Sequence, residues 1–499
     1  MTRPRTRIAV IIVGVVVAIW AAALYFIPTL VFSRARVAQA LGDEVSGQAQ
    51  FRSFRHVYFP HPGCIAEGVT IRVDNEAGAP PLLAASKLII VGNYSTIFSK
   101  HLAVMKAEGL QVTPSGGQWP ESRSKSSIVV DRFIADDAVL QIAGSKALKF
   151  LVHHFTLDHL GGKSAMPFEV QLLNPLPPGE ITAKGKLGPW DPQHGETRIE
   201  GSYSFRHADL GAIEGIGGIL SSDGKFKGTI RQLEVTGTTE TPEFEVRDNH
   251  HRFPLSTNFS AQVNATNGDV VLQHVSAKLR ETELDITGAI VPDPQRHRRT
   301  ATLDVTAQNG RIQDIMFPFV HAPRSPLTGV TSWRARVVLP GGKEPFRRRV
   351  RMNADFGIAD ARFTNPDTQA KIDKGSVSAR GKPEDDDPES VVSDLKGHVE
   401  LKDGTAMFSR LSFGVPGATA QMGGTYNIIS KRIDLHGTVR MAAKPSQATT
   451  GIKSFLVKAL SPFMKKDKPK EPLPVAITGT YEHPQYSISL TKKQDRGGL

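Results

Sequence analysis

The sequence contains a single cysteine, Cys64, among 499 residues. One thiol excludes an intramolecular disulfide and a metal site built from several cysteines. Long helical patterns are also rare, whereas glycine and proline are frequent, with 45 and 33 residues. These two residues commonly separate short strands at turns. The composition therefore favours a mainly β protein.

The sequence has little that indicates catalysis. It contains no Gly-x-Ser-x-Gly pattern, and residues 215–218, Gly-Ile-Gly-Gly, lack the strand, helix and downstream acid of a nucleotide-binding loop. Glu281 and Glu283 are interpreted as solvated strand carboxylates rather than a general acid/base pair. We therefore expect no enzymatic activity.

The densest group of potential metal ligands lies in the segment LKFLVHHFTLDHLGG. On a strand, His153 and His159 would lie on one face, and His154 and Asp158 on the other. No three of them would share a face, which a zinc site requires. We interpret them as polar strand residues and expect neither a metal nor another cofactor.

Positive charge is in excess, with a formal net charge of +12. Such a charge suits nucleic acid, an anionic membrane surface or anionic lipid headgroups. No nucleic-acid motif accompanies it, so we expect a membrane-facing protein that binds no nucleic acid. The basic clusters at residues 296–299 and 347–349 are interpreted as exposed strand ends, with a headgroup site as the alternative.

Residues 8–27 form an uncharged run, IAVIIVGVVVAIWAAALYFI. At about 1.5 Å per helical residue, such a run matches a hydrocarbon core of about 30 Å. The sequence therefore predicts a transmembrane anchor over residues 8–30, after a cytoplasmic tail over residues 1–7 that carries three arginines. The alternative is a signal peptide cleaved near the alanines at 21–23, but the run is longer than a typical signal-peptide core.

Beyond a predicted helical stalk over residues 31–48, period-two alternation dominates the sequence. Apolar and polar residues alternate over 301–308, 333–339, 350–358 and 433–441. Successive strand side chains point to opposite faces, so each segment has one apolar and one polar face. This pattern is typical of antiparallel meanders. Residues 209–220 and 312–319 could form short helices.

Internal repeats accompany the alternation. Residues 235–246, VTGTTETPEFEV, match residues 477–488, ITGTYEHPQYSI, and predict a strand, a turn at proline and a second strand. A looser repeat relates residues 268–288 to residues 404–424. Repeated units that each expose an apolar face extend a structure by stacking. We therefore predict an elongated, curved antiparallel β-groove of repeated strand–turn units over residues 49–394, with few short helices.

The clearest amphipathic helix is predicted over residues 446–464. Its apolar positions recur at helical spacing and are followed by a basic end: Ile452, Phe455, Leu456, Leu460, Phe463, Lys465 and Lys466. Such a helix contacts a membrane or a partner protein, or closes the end of the groove. The sequence leaves both options open.

Residues 395–490 resemble the AsmA-like family of bacterial envelope proteins. The resemblance is carried by a Gly-x-Val-x-Leu-x-Asp-Gly unit at 397–404, Val-Pro-Gly-Ala at 415–418, Gly-Thr-Tyr at 424–426, the strand at 433–441, and Ile-Thr-Gly-Thr at 477–480 with Pro484. Upstream, Ala-Asp-Leu at 208–210 and Thr-Gly-Thr at 236–238 fit more loosely. Residues 395–491 would form the C-terminal region of such a protein, followed by a tail over 492–499.

The resemblance implies a single-pass anchor in the bacterial inner membrane, a periplasmic β-groove and a role in outer-membrane biogenesis through phospholipid transport. Phospholipids, and outer-membrane or other envelope proteins, are the implied partners. Two other functions stay open. One is an assembly factor for outer-membrane protein targeting that binds no lipid, and the other is a periplasmic carbohydrate-active enzyme.

The alternating strands supply candidate residues for the lining of a lipid groove. These residues are Leu284, Ile286, Leu303, Val305, Trp333, Val337, Leu339, Ile433, Leu435 and Val439. An apolar trough would cover acyl chains, each buried methylene contributing about 0.8 kcal/mol. The same faces would equally form the core of a two-sheet sandwich, so alternation alone does not decide between groove and sandwich.

Overall fold

A computed structural model gives the structure of the protein. It describes residues 25–26, 29–44, 47–73, 81–95, 101–113, 128–142, 148–162, 164–189, 197–247, 251–265, 267–293, 298–320, 324–342, 344–380, 391–441, 472–480 and 483–487. Strands hold 70% and helices 11% of these residues, which confirms the mainly β prediction. No helix among the described residues is long and apolar enough to cross a membrane. Most of the predicted anchor and all of the predicted helix over 446–464 lie outside them.

The chain divides into two compact units. The first contains residues 1–212, 220–238 and 262–269, and the second contains residues 213–219, 239–261 and 270–499. The first unit holds helix α1 (Arg34–Glu44) and the strands β1 (Gly47–Gln50), β2 (Ser53–Val57), β3 (Gly63–Val73), β4 (Leu83–Gly92), β5 (His101–Glu108), β6 (Gln111–Val112), β7 (Val129–Ile142), β8 (Leu148–Leu160), β9 (Met166–Pro175), β10 (Pro178–Leu187) and β11 (Arg198–Asp209).

Strand β12 (Ile216–Gly217) belongs to the second unit. Four strands contain residues of both units: β13 (Ile219–Thr229), β14 (Leu233–Val246), β15 (Arg252–Asn264) and β16 (Asp269–Leu279). The other elements of the second unit are β17 (Thr282–Asp293), β18 (Arg298–Arg311), α2 (Ile312–Met316), β19 (Leu327–Pro340), α3 (Phe346–Arg349), β20 (Arg351–Phe363), α4 (Pro366–Ala379), β21 (Ser393–Lys402), β22 (Thr405–Val415), β23 (Ala418–Asn427), β24 (Arg432–Met441), β25 (Leu473–Thr480) and β26 (Pro484–Ser487).

The first unit is mostly an antiparallel sheet. Strands β1 and β2 both pair with β3, and the series continues through β4 and β5, then from β7 to β11. Strand β7 pairs in parallel with β5 and β6, which the antiparallel interpretation did not include. Parallel neighbours require a connection of about a dozen residues or more, and residues 113–128 provide it. Alternation favours antiparallel pairing for a sheet as a whole, but it does not identify one parallel pair within that sheet.

A closed core lies at the start of the first unit. Phe32, Val37, Phe51 and Ile90 are almost fully buried there, with α1 packed against β1 and β3. Arg34 fixes the helix by donating from Nη2 to the carbonyl oxygen of Phe51 at 2.6 Å. The helix ends at Glu44 and β1 already begins at Gly47. The predicted stalk to residue 48 is thus too long, and its apolar side packs on the sheet.

The second unit contains an antiparallel meander. From β16 to β26 each strand pairs with the strand that follows it in the chain. Short connections favour this arrangement because antiparallel neighbours need only a tight turn. The alternation in the sequence correctly predicted the pairing in this region.

The looser internal repeat corresponds to two matching hairpins, β16–β17 and β22–β23. Leu272 opposes Gly288 in the first, and Phe408 opposes Gly424 in the second. A bulge follows Leu272 and Phe408 in each hairpin. The two segments therefore share register, bulge and glycine position, as their common spacing implied.

Both repeated glycines lie against the next strand. A Cβ at Gly288 would lie 2.2 Å from the carbonyl oxygen of Thr302, and one at Gly424 would lie 2.1 Å from that of Asp434. Their φ angles are 157° and 142°. Any residue with a Cβ at either position would force the backbone of the next strand to move, so only glycine allows this close contact.

The tighter repeat is not a hairpin in both copies, so this prediction is wrong for the first one. Strand β14 runs unbroken through Pro242, because residues beyond the proline pair with β12, with Val246 opposite Ile216. In the second copy β25 turns back into β26, closed by mutual backbone hydrogen bonds between Thr480 and His483. A local match in sequence does not determine which strand is available for pairing.

The short helices are only partly those expected. The segment 312–319 is helical, as α2 followed by a 3₁₀ turn, whereas 209–220 holds one 3₁₀ turn, Leu210–Ala212, and then strand. Helix α4 was not predicted. Its buried side includes Asp373, Ser376 and Val377, so it has no apolar stripe to recognise.

Candidate functional site on the apolar face of the second unit

The meander registers place all ten predicted lining residues on one face of the sheet in the second unit. One cross-strand row contains, in order, Ile286, Val305, Ala335, Ala354, Val399, Phe408, Gly424, Leu435 and Ile477. A neighbouring row contains Gly288, Leu303, Val337, Met352, Leu401, Ala406, Tyr426, Ile433 and Gly479. We call this surface the apolar face.

The remaining predicted residues continue the apolar face. Trp333 lies opposite Phe356, Leu339 opposite Ala301, and Val439 opposite Ala420. Leu284 lies opposite Ala277 and two residues before Ile286, which puts it on the same side of β17. Residues that are far apart in the sequence thus form one surface.

Burial on the apolar face follows side-chain size in an unusual way. The fully buried members of its central cluster are small, Ala335, Ala354, Val399 and Ala406. The large side chains packed against them, including Trp333, Met352, Phe356, Phe408 and Tyr426, are only partly buried. Of the ten predicted lining residues, Val305 alone is buried. In a two-sheet sandwich the large inner side chains interdigitate and are the most deeply buried. The central part of the apolar face therefore lacks the cover of a sandwich core, whereas at one end Ile358 is buried against Ile312 and Met316 of α2.

A buried hydrogen-bond donor lies within the apolar face. The indole nitrogen of Trp333 has no hydrogen-bond partner among the described residues. Buried indole N–H groups usually have one, since an unpaired donor costs free energy. The face thus contains an unsatisfied donor near its centre.

The opposite face of the same strands is polar and carries ion pairs. The Oδ1 atom of Asp355 lies 2.8 Å from Nδ1 of His398 and 3.6 Å from Nη2 of Arg410. Nε of Arg336 lies 3.5 Å from Oδ1 of Asp304. These pairs are exposed and contribute little to stability. The sheet of the second unit is thus amphipathic, with one apolar and one charged side.

Basic side chains gather where β17 meets β18, β19 meets β20, β21 meets β22, and β23 meets β24. We define the basic rim as Arg298, Arg348, Arg351, Lys402 and Arg432. All five are exposed, and none has an ion-pair partner within the described part of the chain. Because the strands form a meander, these connections lie along the same edge of the strand ends. A shallow polar cleft there is lined by Glu344, Arg348, Asp403, Asn427, Ile429 and Ser430.

The cluster at 347–349 differs from the exposed strand end that was expected. It forms helix α3, and Arg349 leaves only 12% of its side chain exposed. Arg349 donates to the carbonyl oxygens of Glu344 at 2.7 Å and Pro340 at 2.9 Å, and pairs with Glu214 at 3.1 Å. It therefore fixes this connection. In the other basic cluster, residues 296 and 297 lie outside the described residues.

The opposite strand ends are more nearly neutralised. Asp314 is buried and accepts hydrogen bonds from the Thr282 hydroxyl at 3.0 Å and the Glu281 backbone at 3.3 Å. Arg280 lies 3.6 Å from Asp314, and Arg311 pairs with Glu281 at 2.7 Å. The two edges of the meander thus differ in charge.

The histidine-rich strand β8 behaves as a polar strand. His154 Nδ1 lies 2.7 Å from an Asp136 oxygen, Asp158 pairs with Arg132 at 2.8 Å, and His153 is exposed. No group of three potential metal ligands occurs among the residues that the structure describes. The Lys106 hydrogen bond, and then that of His154, lowers the pKa of Asp136.

Cys64 is fully buried, and burial raises the pKa of its thiol to about 12. A thiol that stays protonated is a poor nucleophile and a poor metal ligand. The side chain therefore belongs to the closed core of the first unit.

Comparisons of the chain with protein-family models, with curated proteins and with solved structures find no match. The resemblance to the AsmA-like family thus stays a prediction from the sequence.

Proposed function

We propose that this chain is a membrane-anchored, AsmA-like lipid-binding protein that holds phospholipid acyl chains against the apolar face in a curved β-groove. The observation that carries the proposal is the incomplete burial of that face. In its central cluster the large side chains are partly exposed, while the buried ones are three alanines and Val399. Apolar surface of this extent is costly in water and marks a binding site.

An acyl chain fits the properties of this surface better than a compact ligand. The rows extend over nine strands, and neighbouring strands lie about 4.8 Å apart, so the apolar face is long in the direction across the strands. Each methylene removed from water contributes about 0.8 kcal/mol, so one long chain gains several kcal/mol there.

The basic rim supports a phosphate-bearing headgroup. Its exposed cations have no carboxylate partner in the described part of the chain, and they border the same strands as the apolar face. Arginine and lysine bind phosphate oxygens through charge-assisted hydrogen bonds. Chains on the apolar face and phosphate at the rim together describe a phospholipid.

The anchor completes the proposal. Residues 8–30 would hold the protein in the inner membrane and place the two units in the periplasm, where the groove would supply phospholipid for outer-membrane biogenesis.

Photocrosslinking in intact cells tests the proposal. A benzophenone amino acid at Leu435 on the apolar face should crosslink to phospholipid, detected by mass spectrometry of the purified full-length chain. His436 supplies the matched control, because it is the next residue of β24 and is exposed on the polar face. Lipid adducts at 435 but not at 436 would support the proposal. Equal adducts, or none at 435, would contradict it.

A further inference from the structure

The first unit exposes an aromatic surface at one end of its strands. We define the aromatic tip as Tyr25, Phe26, Tyr58, Phe59 and Tyr94. Three of its side chains are strongly exposed, with 56% of Tyr25, 59% of Phe26 and 84% of Phe59 accessible. Large apolar side chains that cluster at such exposure indicate a surface that is covered in the working protein.

The aromatic tip is ordered by contacts. The ring of Tyr25 stacks on that of Tyr58 with centroids 5.1 Å apart. The hydroxyl of Tyr94 donates to the carbonyl oxygen of Tyr58. His56 lies 6.2 Å from Tyr58 and 5.4 Å from Phe54, so ring contacts connect the tip to the closed core. The β2–β3 turn that carries Phe59 is therefore held in place.

The position of Tyr25 in the chain determines which partner fits. Tyr25 belongs to the uncharged run 8–27 and lies at its C-terminal end. If that run spans a bilayer, Tyr25 lies at the membrane–water interface, where tyrosine and tryptophan are enriched. The stacking contact then places Tyr58, and with it Phe59, at the same depth.

We propose that the aromatic tip is a membrane-interface contact, with Phe59 inserted among the headgroups of the bilayer that the N-terminal anchor crosses. This inference rests on the anchor of the proposed function. The contact would give the first unit a second attachment to the membrane, so that the unit could not rotate freely about a single helix. An interfacial aromatic ring buries its apolar body while its neighbours stay hydrated.

The fold provides a matched control for this contact. Leu176 is 56% exposed and, like Phe59, precedes a proline in a turn between two strands. The registers place it at the other end of the strands. Val57 opposes Gly63 and Met166 opposes Leu187 towards the tip, whereas Pro175 opposes Pro178 beside Leu176. Leu176 should therefore face water.

Spin labelling of the full-length protein in lipid nanodiscs tests the inference. Cysteines are introduced one at a time as Phe59→Cys, Leu176→Cys and Val16→Cys, while the buried Cys64 stays unlabelled. Accessibility to oxygen relative to a water-soluble nickel chelate is measured by power saturation. The ratio should be highest at 16, intermediate at 59 and low at 176.

The three positions separate the possible failures. A high ratio at 16 with equal, low ratios at 59 and 176 would overturn the interface contact and leave the anchor standing. A low ratio at 16, or loss of that residue by cleavage, would contradict the anchor and with it the inference. Because Phe59 is exposed, the label at 59 should leave the fold intact.

Discussion

The closed core of the first unit and the apolar face of the second arise from the same alternating pattern, yet they bury different residues. Near the N-terminus, Phe32, Phe51, Leu88 and Ile90 are each less than 7% exposed. In the central cluster of the apolar face the side chains buried to that degree are those of alanines, while phenylalanine and tryptophan stay partly accessible. The difference is a covering layer. The segment around α1 packs across the closed core, whereas α2 packs against one end of the apolar face and leaves the central cluster partly accessible.

Alternation in the sequence thus predicts that a sheet has an apolar face, but it does not predict whether another element packs on that face. A sheet face becomes a core when another element packs on it, and otherwise it offers free energy to a ligand. Under the proposed function, the first region serves stability and the second serves binding. Two measurements test this division, and a third tests the polar faces.

Burial of a charge should separate the two regions most strongly. Ile90→Glu places a carboxylate in the closed core and should destabilise the first unit by about 4 kcal/mol or more. Leu435→Glu on the apolar face should cost about 1 kcal/mol or less, because its carboxylate reaches water, but it should abolish phospholipid binding. Thermal melting and quantification of bound phospholipid distinguish these outcomes.

Arg440→Glu is the control for Leu435→Glu, since Arg440 is exposed on the other face of the same strand. It should change neither melting nor bound lipid. Unfolding of the Leu435→Glu variant would mean that the apolar face is a structural core and is covered like the closed core of the first unit.

Truncation of a large side chain should give a smaller contrast. Phe51→Ala removes a ring that is 6% exposed and should lower the free energy of unfolding by about 3–5 kcal/mol. Phe408→Ala removes a partly exposed ring and should cost about 1 kcal/mol, roughly the transfer free energy of half a side chain. Urea unfolding monitored by limited proteolysis reports both changes. Similar losses at the two positions would remove the distinction between a covered and an uncovered face.

The polar faces should matter least for stability. The Lys106 hydrogen bond holds the pKa of Asp136 below its ordinary value of 3.8. A lowered carboxyl pKa stabilises the folded state above pH 3.8, and this stabilisation is lost as the pH falls through the lower, folded value. Lys106→Met should therefore raise the pKa of Asp136 while the melting temperature at neutral pH hardly changes.

Carboxyl ¹³C NMR titration checks this shift, with Asp223 as the internal reference. The hydrogen bond from Arg206 lowers the pKa of Asp223, and Lys106 is not among the causes. A pKa of Asp136 that does not move, or one of Asp223 that moves with it, would show that the ion pair with Lys106 is not responsible.

Much of the second unit could be predicted from the sequence because its contacts are local. The repeat of Leu272 and Gly288 in Phe408 and Gly424 marked two equivalent hairpins, since a strand meander keeps partners near in the chain. The ten lining residues also share a face, as alternation implied. The parallel pairing of β5 with β7 was missed because no periodicity reports the direction of a neighbour.

Helix α4 was missed for a different reason, although one signal was present. Asn365 caps the helix by accepting from the Thr368 backbone at 3.1 Å, and Pro366 follows it at the first helical position. Asparagine before proline is a common start for a helix. The buried Asp373 and Ser376 satisfy polar groups of the nearby backbone, at Val391 and Pro416, so the helix packs without apolar periodicity.

The succession of strands from β16 to β26 also determines how the polypeptide can acquire its structure. Every new strand finds its partner immediately upstream, so the loop that must close is short in most steps and the loss of chain entropy is small. Folds dominated by such contacts have low contact order and form rapidly. A chain that emerges gradually during synthesis can therefore add one strand at a time to a growing edge, without waiting for its C-terminus.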